Sequence, residues 1–102
     1  NKVDLNRNYP SSDWSPAHKA PRYYPGPKPA SENEIKQLVT WIKANKPRLI
    51  IHFHSWKPCV VYAGDPAFRA ADLLGQVSGY PVNDVIGYRS PGSLSQFGWI
   101  DN

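Results

Sequence analysis

The sequence has 102 residues, of which 40% are hydrophobic and 13% aromatic, and this excludes a disordered chain because disordered segments are poor in such residues. The net charge of +4 comes from Lys and Arg residues that are scattered rather than clustered, so we expect no nucleic-acid partner. No apolar run has the length of a membrane span or the pattern of a signal peptide, so we expect no membrane partner.

Three further features of the composition concern the size and origin of the chain. Its length suits one small domain. The absence of methionine indicates an excerpt from a longer polypeptide, and the compartment stays open. The single cysteine, Cys59, cannot form an internal disulfide and is expected to be a buried small hydrophobic residue.

The first predicted element is a helix from residue 31 to residue 45, after an irregular, proline-rich segment over residues 1–30. Ser31 followed by Glu34 has the spacing of a capping box, in which each side chain satisfies a backbone amide of the first turn. Pro47 ends the run. The apolar stripe of this helix consists of Ile35, Leu38, Val39 and Ile42.

Two strands and a second helix are predicted next. Residues 48–55, RLIIHFHS, are apolar and β-branched at their centre, which is typical of a buried strand, and residues 56–62 add a turn and a second strand. Asp65 as N-cap begins a helix that ends at Gly79. Residues 80–102 are expected to form a loop with short extended pieces. This order of elements indicates an α/β fold.

Two histidines share one face of the predicted first strand, because strand side chains alternate. His54 lies at the carboxyl end of the strand, where open α/β sheets bind ligands. The pattern alone favours ordinary hydrogen-bonded side chains for His52 and His54, since histidine fills many roles.

An Asn and Arg pair forms a second candidate site. The guanidinium of Arg7 has a planar fork that binds a carboxylate through two parallel hydrogen bonds, and the amide of Asn6 adds a neutral donor. Such a dipeptide is a weak signal by itself, because most arginines are solvated or form ordinary surface pairs.

Four segments, in the same order, resemble motifs of the M14 zinc carboxypeptidases. VDLNRNYP resembles their VDLNRNFP, SENE their SEPE helix start, IHFHSW the strand that carries the last zinc-binding histidine, and GYRSPGSLSQFG the loop with the substrate-capping tyrosine. The resemblance implies a partial M14 carboxypeptidase fold, a mixed β-sheet flanked by helices. Residues 1–102 would then be the central part of a single catalytic domain.

The resemblance also implies roles for individual residues. Asn6 and Arg7 correspond to the residues that bind the terminal carboxylate of a peptide substrate, His54 to a zinc ligand and Tyr88 to the tyrosine that covers the substrate. His52 has no ligand role in the family pattern, and we expect it to support the site by hydrogen bonding.

Within the family, HSWKPCVVY and YRSPGS resemble the murein peptide amidases of bacteria, which act beside diaminopimelate in cell-wall peptides. Such a peptide is therefore one candidate substrate. Arg89 lies where the family sets side-chain specificity, and its charge would suit a substrate with an additional carboxylate. From the residues alone, an arginine that faces solvent is the favoured interpretation of Arg89, since loops are mostly exposed.

A complete zinc site is not predicted for these residues. The family takes its other two ligands from an HxxE motif, which this sequence lacks, and the general-base Glu is expected beyond Asn102. Glu32 and Glu34 are explained as residues of a helix start. A catalytic zinc normally has three protein ligands, so Zn²⁺ and peptidase activity are assigned to a longer parent and the 102-residue chain is expected to be inactive.

Two other functions remain open from the sequence. The DLNR segment also occurs in the related aspartoacylase and succinylglutamate desuccinylase group, whose members hydrolyse N-acyl amino acids. A degenerate M14 domain that binds peptide ends without catalysis is the second alternative. The continuation NYP and the SENE helix start favour the carboxypeptidases over the first alternative.

Overall fold

The computed structural model describes residues 2–84 and 87–100. The chain divides into two compact units, which are residues 1–48 with 90–102 and residues 49–89. The helices and strands, in chain order, are α1 (Asn33–Asn45), β1 (Val60–Val61), α2 (Asp65–Ser78), β2 (Val82–Asn83) and α3 (Leu94–Ile100). Single 3-10 turns at Leu5–Arg7 and Pro21–Tyr23 interrupt the first thirty residues, which were expected to be irregular.

Helix α1 confirms the first predicted helix. Its apolar stripe faces the core of the first unit, which explains why a run with low overall hydrophobicity is helical. The helix ends where Lys46 adopts a left-handed conformation, with φ of 47°, directly before Pro47. The buried members of the stripe are Ile35, Val39 and Ile42, whereas Leu38 is exposed.

The predicted capping box at the start of α1 is wrong. The hydroxyl of Ser31 donates to the carboxylate of Glu32 at 2.6 Å instead of bonding a helix amide, and the N-cap is Glu32. The backbone N–H of Glu32 donates to Oδ1 of Asn8 at 3.2 Å. A side chain 24 residues away in the sequence therefore takes the position that the local motif was expected to fill, which is a tertiary contact that spacing alone does not reveal.

Helix α3 was not predicted from the sequence, which indicated a loop there. Seven residues are too few to show a helical period clearly, and the helix depends on tertiary packing. The ring of Phe97 is 1% exposed and stacks on Tyr9 with 5.9 Å between ring centroids. The backbone N–H of Leu94 donates to Oδ1 of Asn6 at 3.0 Å, which satisfies an amide of the first turn.

The Tyr9 ring gives a prediction about alkaline stability. Burial raises the pKa of the Tyr9 phenol above 10.0, so the unfolded chain loses this proton at a lower pH than the folded chain does. Stability should therefore decrease as the pH rises above 10, and Tyr9→Phe should make this decrease shallower. Urea unfolding at several pH values measures the slope, with the exposed Tyr80 as a control in Tyr80→Phe. Equal slopes in wild type and Tyr9→Phe would contradict the prediction.

The second unit contains a β–α–β arrangement. Strands β1 and β2 are parallel, with Val60 opposite Val82, and α2 connects them. These elements confirm the predicted second strand, at Val60–Val61, and the predicted second helix, although its N-cap is Gly64 rather than Asp65. Helix and sheet lie very close at Gly75, where an added methyl group would overlap the side chain of Val82.

The predicted strand over residues 48–55 is wrong. This segment has no regular secondary structure, and the side chain of Phe53, expected to be buried, is 93% exposed. A strand requires a neighbour to accept its backbone hydrogen bonds, and within the described ranges residues 48–55 pair with no other strand. Cys59, also expected to be buried, is half-buried. None of the described helices has the length and apolarity needed to cross a membrane.

Candidate functional site

The Asn6 and Arg7 pair lies in a single 3-10 turn that is tied down at its start. Oδ1 of Asp4 accepts a hydrogen bond from the backbone N–H of Asn6 at 3.0 Å and thereby caps the turn. The backbone N–H of Asp4 donates to the carbonyl of Tyr24 at 2.7 Å. These two bonds fix the backbone of the pair against a neighbouring loop of the first unit.

The guanidinium of Arg7 is oriented by a backbone carbonyl and an aromatic ring of the first unit. Its Nη1 donates to the backbone carbonyl of Asn6 at 2.8 Å, and its central carbon lies 5.6 Å from the ring centroid of Tyr23. Within residues 2–84 and 87–100, no carboxylate pairs with Arg7. The half-buried cation therefore retains donors for an anionic ligand.

Asn6 has a divided role. Its Oδ1 accepts a hydrogen bond from the N–H of Leu94, so the amide oxygen is used in a contact that stabilises the fold. Its Nδ2 donates to no residue in the described part of the chain. The amide nitrogen of Asn6 retains donor hydrogens, and its predicted role as a second donor to a carboxylate stays a prediction.

Asn8 is a residue of this motif whose importance the sequence analysis missed. Its side chain is 0% exposed, and its Nδ2 lies within hydrogen-bonding distance of the carbonyls of Pro25 (2.7 Å) and Lys28 (3.1 Å) and of Oγ of Ser31 (2.9 Å). Since Oδ1 also accepts from Glu32, one buried amide joins the turn, the following loop and the start of α1. The signal available in the sequence was a third polar residue in LNRN beside buried Tyr9.

The SPGS segment lies directly on the motif turn. The backbone N–H of Tyr9 donates to the carbonyl of Gly92 at 2.9 Å, and the N–H of Gly92 donates to Oδ1 of Asp13 at 3.2 Å. Oδ1 of Asp13 also accepts from the hydroxyl of Ser11 at 2.6 Å. The first and the last of the four recognised motifs are thus joined by hydrogen bonds within the first unit.

His52 and His54 are in contact in the second unit, although not on a strand. Nε2 of His54 lies 2.6 Å from Nδ1 of His52, so the two rings are neighbours. The reason given for this in the sequence, alternation along a strand, does not apply because residues 48–55 have no regular secondary structure. Partial burial of the His52 ring, followed by the charge of His54, lowers the pKa of His52. The contact is consistent with the expected supporting role of His52, and it leaves Nδ1 of His54 as the ring nitrogen not used in this pair.

These residues do not form a complete zinc site. A catalytic zinc requires three protein ligands, and within the described ranges no group of three His, Cys, Asp or Glu side chains is arranged to hold a metal ion. His54 therefore stays a predicted single ligand.

Tyr88 and Arg89 follow β2 in an irregular segment of the second unit, and both are exposed. Arg89 forms no hydrogen bond or ion pair with a described residue. Their predicted roles beside a substrate, and the role of His54, remain predictions. Asn6 and Arg7 belong to the first unit and these three residues to the second.

Comparison with known proteins identifies the family. The profile described as Zinc carboxypeptidase matches residues 1–85, which is most of the chain. The chain belongs to the zinc carboxypeptidase family. The VDLNRNYP motif, α1, the paired histidines, β1 and α2 all lie within the matched region.

Murein peptide amidases are among the similar proteins of this family. Murein peptide amidase A of Escherichia coli K12 is 29% identical over 95% of this chain, and that of Vibrio campbellii is 30% identical over 92%. The crystal structure of murein-tripeptide amidase from Escherichia coli O157 superposes on 99% of the chain with a TM-score of 0.77 and 27% identity. These similarities confirm the recognised family and the partial α/β carboxypeptidase fold.

The chain spans less than half the length of these relatives. It covers 44% and 42% of the two murein peptide amidases and 46% of the solved structure. The reaction and substrate of a complete protein are matters for a proposal.

Proposed function

We propose that this chain supplies the central, carboxylate-binding part of a zinc-dependent carboxypeptidase or amidase that acts on peptides with a free C-terminal carboxylate, with cell-wall peptides as the candidate substrates. The observation that carries the proposal is the Arg7 guanidinium, which is oriented by its own turn and lacks a carboxylate partner among the described residues. An oriented Arg fork with an Asn donor beside it suits a carboxylate, since charge-assisted and bidentate hydrogen bonds are strong.

The proposal assigns the metal to a site that these residues do not complete. His54 would contribute one imidazole ligand, with His52 as its hydrogen-bonding neighbour, and the other ligands and the general base would lie outside this chain. Bound zinc in this family would polarise the scissile carbonyl. The residues present in this chain would bind and orient the substrate end, so the 102-residue chain alone should release no C-terminal residue.

Carboxylate binding can be tested with two peptides of the same sequence, one ending in a free acid and one in an amide. We expect the acid to perturb the NMR signals of Asn6 and Arg7 and to bind more tightly than the amide. Arg7→Gln should weaken binding of the acid about tenfold, because a hydrogen bond to a charged group contributes about 1.5 kcal/mol. The affinity for the amide should change little.

His54→Ala is the matched control, because it alters the proposed metal ligand and leaves the carboxylate site unchanged. It should retain acid binding. Equal affinities for acid and amide, or no effect of Arg7→Gln, would defeat the proposal. The same acid preference in a complete protein that neither binds zinc nor hydrolyses peptides would instead support a non-catalytic peptide-end binding domain.

A further inference from the structure

A second guanidinium shares an aromatic ring with Arg7. Nη2 of Arg22 donates to the hydroxyl of Tyr23 at 2.6 Å, and its central carbon lies 4.6 Å from the ring centroid. The central carbon of Arg7 lies 5.6 Å from the same centroid. The ring of Tyr23 therefore lies near two guanidinium groups, and one of them, that of Arg7, belongs to the proposed carboxylate site.

The backbone around Arg22 is ordered toward the motif turn. Residues Pro21–Tyr23 form a 3-10 turn with Pro at its first position, which restricts φ there. The next residue, Tyr24, accepts the backbone hydrogen bond of Asp4 at 2.7 Å. Arg22 is thus connected to the Arg7 turn through backbone hydrogen bonds, although its side chain is exposed.

Neither guanidinium of this cluster forms an ion pair with a residue in the described ranges. Like Arg7, Arg22 has no carboxylate partner within the described residues. The two distances to the shared centroid place the guanidinium carbons within about 10 Å of each other, which is comparable with the screening length at 0.1 M salt. Two cations at this range repel each other, and a ligand with two negative groups would remove that repulsion.

We propose that Arg22 binds a second carboxylate of the ligand whose terminal carboxylate is bound by Arg7, so that Arg7, Tyr23 and Arg22 form a site for a peptide end carrying two carboxylates. This inference rests on the proposed function and extends it to a specificity residue. Arg89 was the sequence-based candidate for such a role, but it lies in the other unit, whereas Arg22 shares an aromatic partner with Arg7.

The test uses two N-acetylated dipeptides that end in diaminopimelate or in lysine, because these residues differ by one carboxylate. Dissociation constants for the 102-residue chain are measured by NMR titration. Wild type should bind the diaminopimelate peptide about fivefold more tightly, the upper range for an exposed ion pair. Arg22→Gln should remove this preference and leave the affinity for the lysine peptide unchanged. Arg22→Lys should retain part of it.

Two further variants separate the possible results. Arg7→Gln should weaken the binding of both peptides. Arg89→Gln should leave the ratio of the two affinities unchanged. This inference would be overturned if Arg22→Gln kept the preference for the diaminopimelate peptide while binding still depended on Arg7. It would also be overturned if Arg89→Gln, and not Arg22→Gln, removed that preference. Either result would leave the proposed function standing. Binding that is independent of Arg7, or no binding of either peptide, would defeat both.

Discussion

Asn8→Ala is expected to lower the free energy of unfolding by about 4 kcal/mol, because the methyl group replaces none of the hydrogen bonds of a fully buried amide. The carbonyls of Pro25 and Lys28 would lose a donor, and the N–H of Glu32 would lose its acceptor. Each buried polar group left unpaired costs about 1–3 kcal/mol. Urea unfolding followed by circular dichroism measures the change.

Two controls show whether the effect comes from burial and from the donors of the amide. Asn45→Ala removes an exposed amide that donates to the carbonyl of Trp41 and should cost about 0.5 kcal/mol or less. Asn8→Asp preserves shape and the acceptor oxygens but removes the donors, so it should destabilise strongly at neutral pH. A loss for Asn8→Ala as small as that for Asn45→Ala would show that the Asn8 bonds contribute little.

The consequences of Asn8→Ala should extend to the site. The same amide joins the turn bearing Arg7 to the loop before α1, and that loop carries Tyr24, which accepts the backbone bond of Asp4. We therefore expect Asn8→Ala to broaden the NMR signals of Asn6 and Arg7 in the chain that remains folded. The Asn8 side chain needs no contact with the ligand to position these residues.

The parts of the fold that were predictable depend on local sequence. Helix α1 follows from the spacing of Ile35, Val39 and Ile42, and helix α2 has Gly79 as its C-cap, as its sequence indicates. Strands depend on a neighbour, so the β-branched run over residues 48–55 satisfied the pattern and still has no regular structure among the described residues. Helix α3 escaped prediction because the burial of Phe97 stabilises it.

The candidate site divides in the same way. Asn6 and Arg7 were identified from a resemblance, since the chemistry of a short motif is visible in its residue types. The contacts that hold these two residues in place could not be identified from the sequence, because the contacts join distant parts of the chain. Asn6 accepts a hydrogen bond from Leu94, 88 residues later, and Asp13 accepts one from Gly92, 79 residues later. Spacing along a sequence contains no information about such pairs when only one sequence is considered.

Gly92→Ala is expected to destabilise the chain by about 3 kcal/mol and to disturb the Arg7 turn directly. The added methyl group would overlap the carbonyl oxygen of Arg7 and lie 2.7 Å from Cδ1 of Trp14, which is closer than carbon atoms pack. Gly92 also has φ of 69°, a conformation that side chains disfavour by about 1 kcal/mol. Thermal and urea unfolding measure the total loss.

Gly79→Ala is the control that separates two contributions to the stability loss of Gly92→Ala, which are the steric overlap and the cost of the positive φ. Gly79 has a similar φ of 73°, but no atom lies within 4 Å of the added methyl group, so only the conformational cost of about 1 kcal/mol should appear. The excess loss in Gly92→Ala measures how closely the SPGS segment is packed on the motif turn. If that excess is present, Gly92→Ala should also weaken binding of the peptide acid while Gly79→Ala does not, because only Gly92 contacts the backbone that carries Arg7. Equal losses for the two variants would show that this turn accommodates the extra atom, and the SPGS segment would then have no part in positioning Arg7.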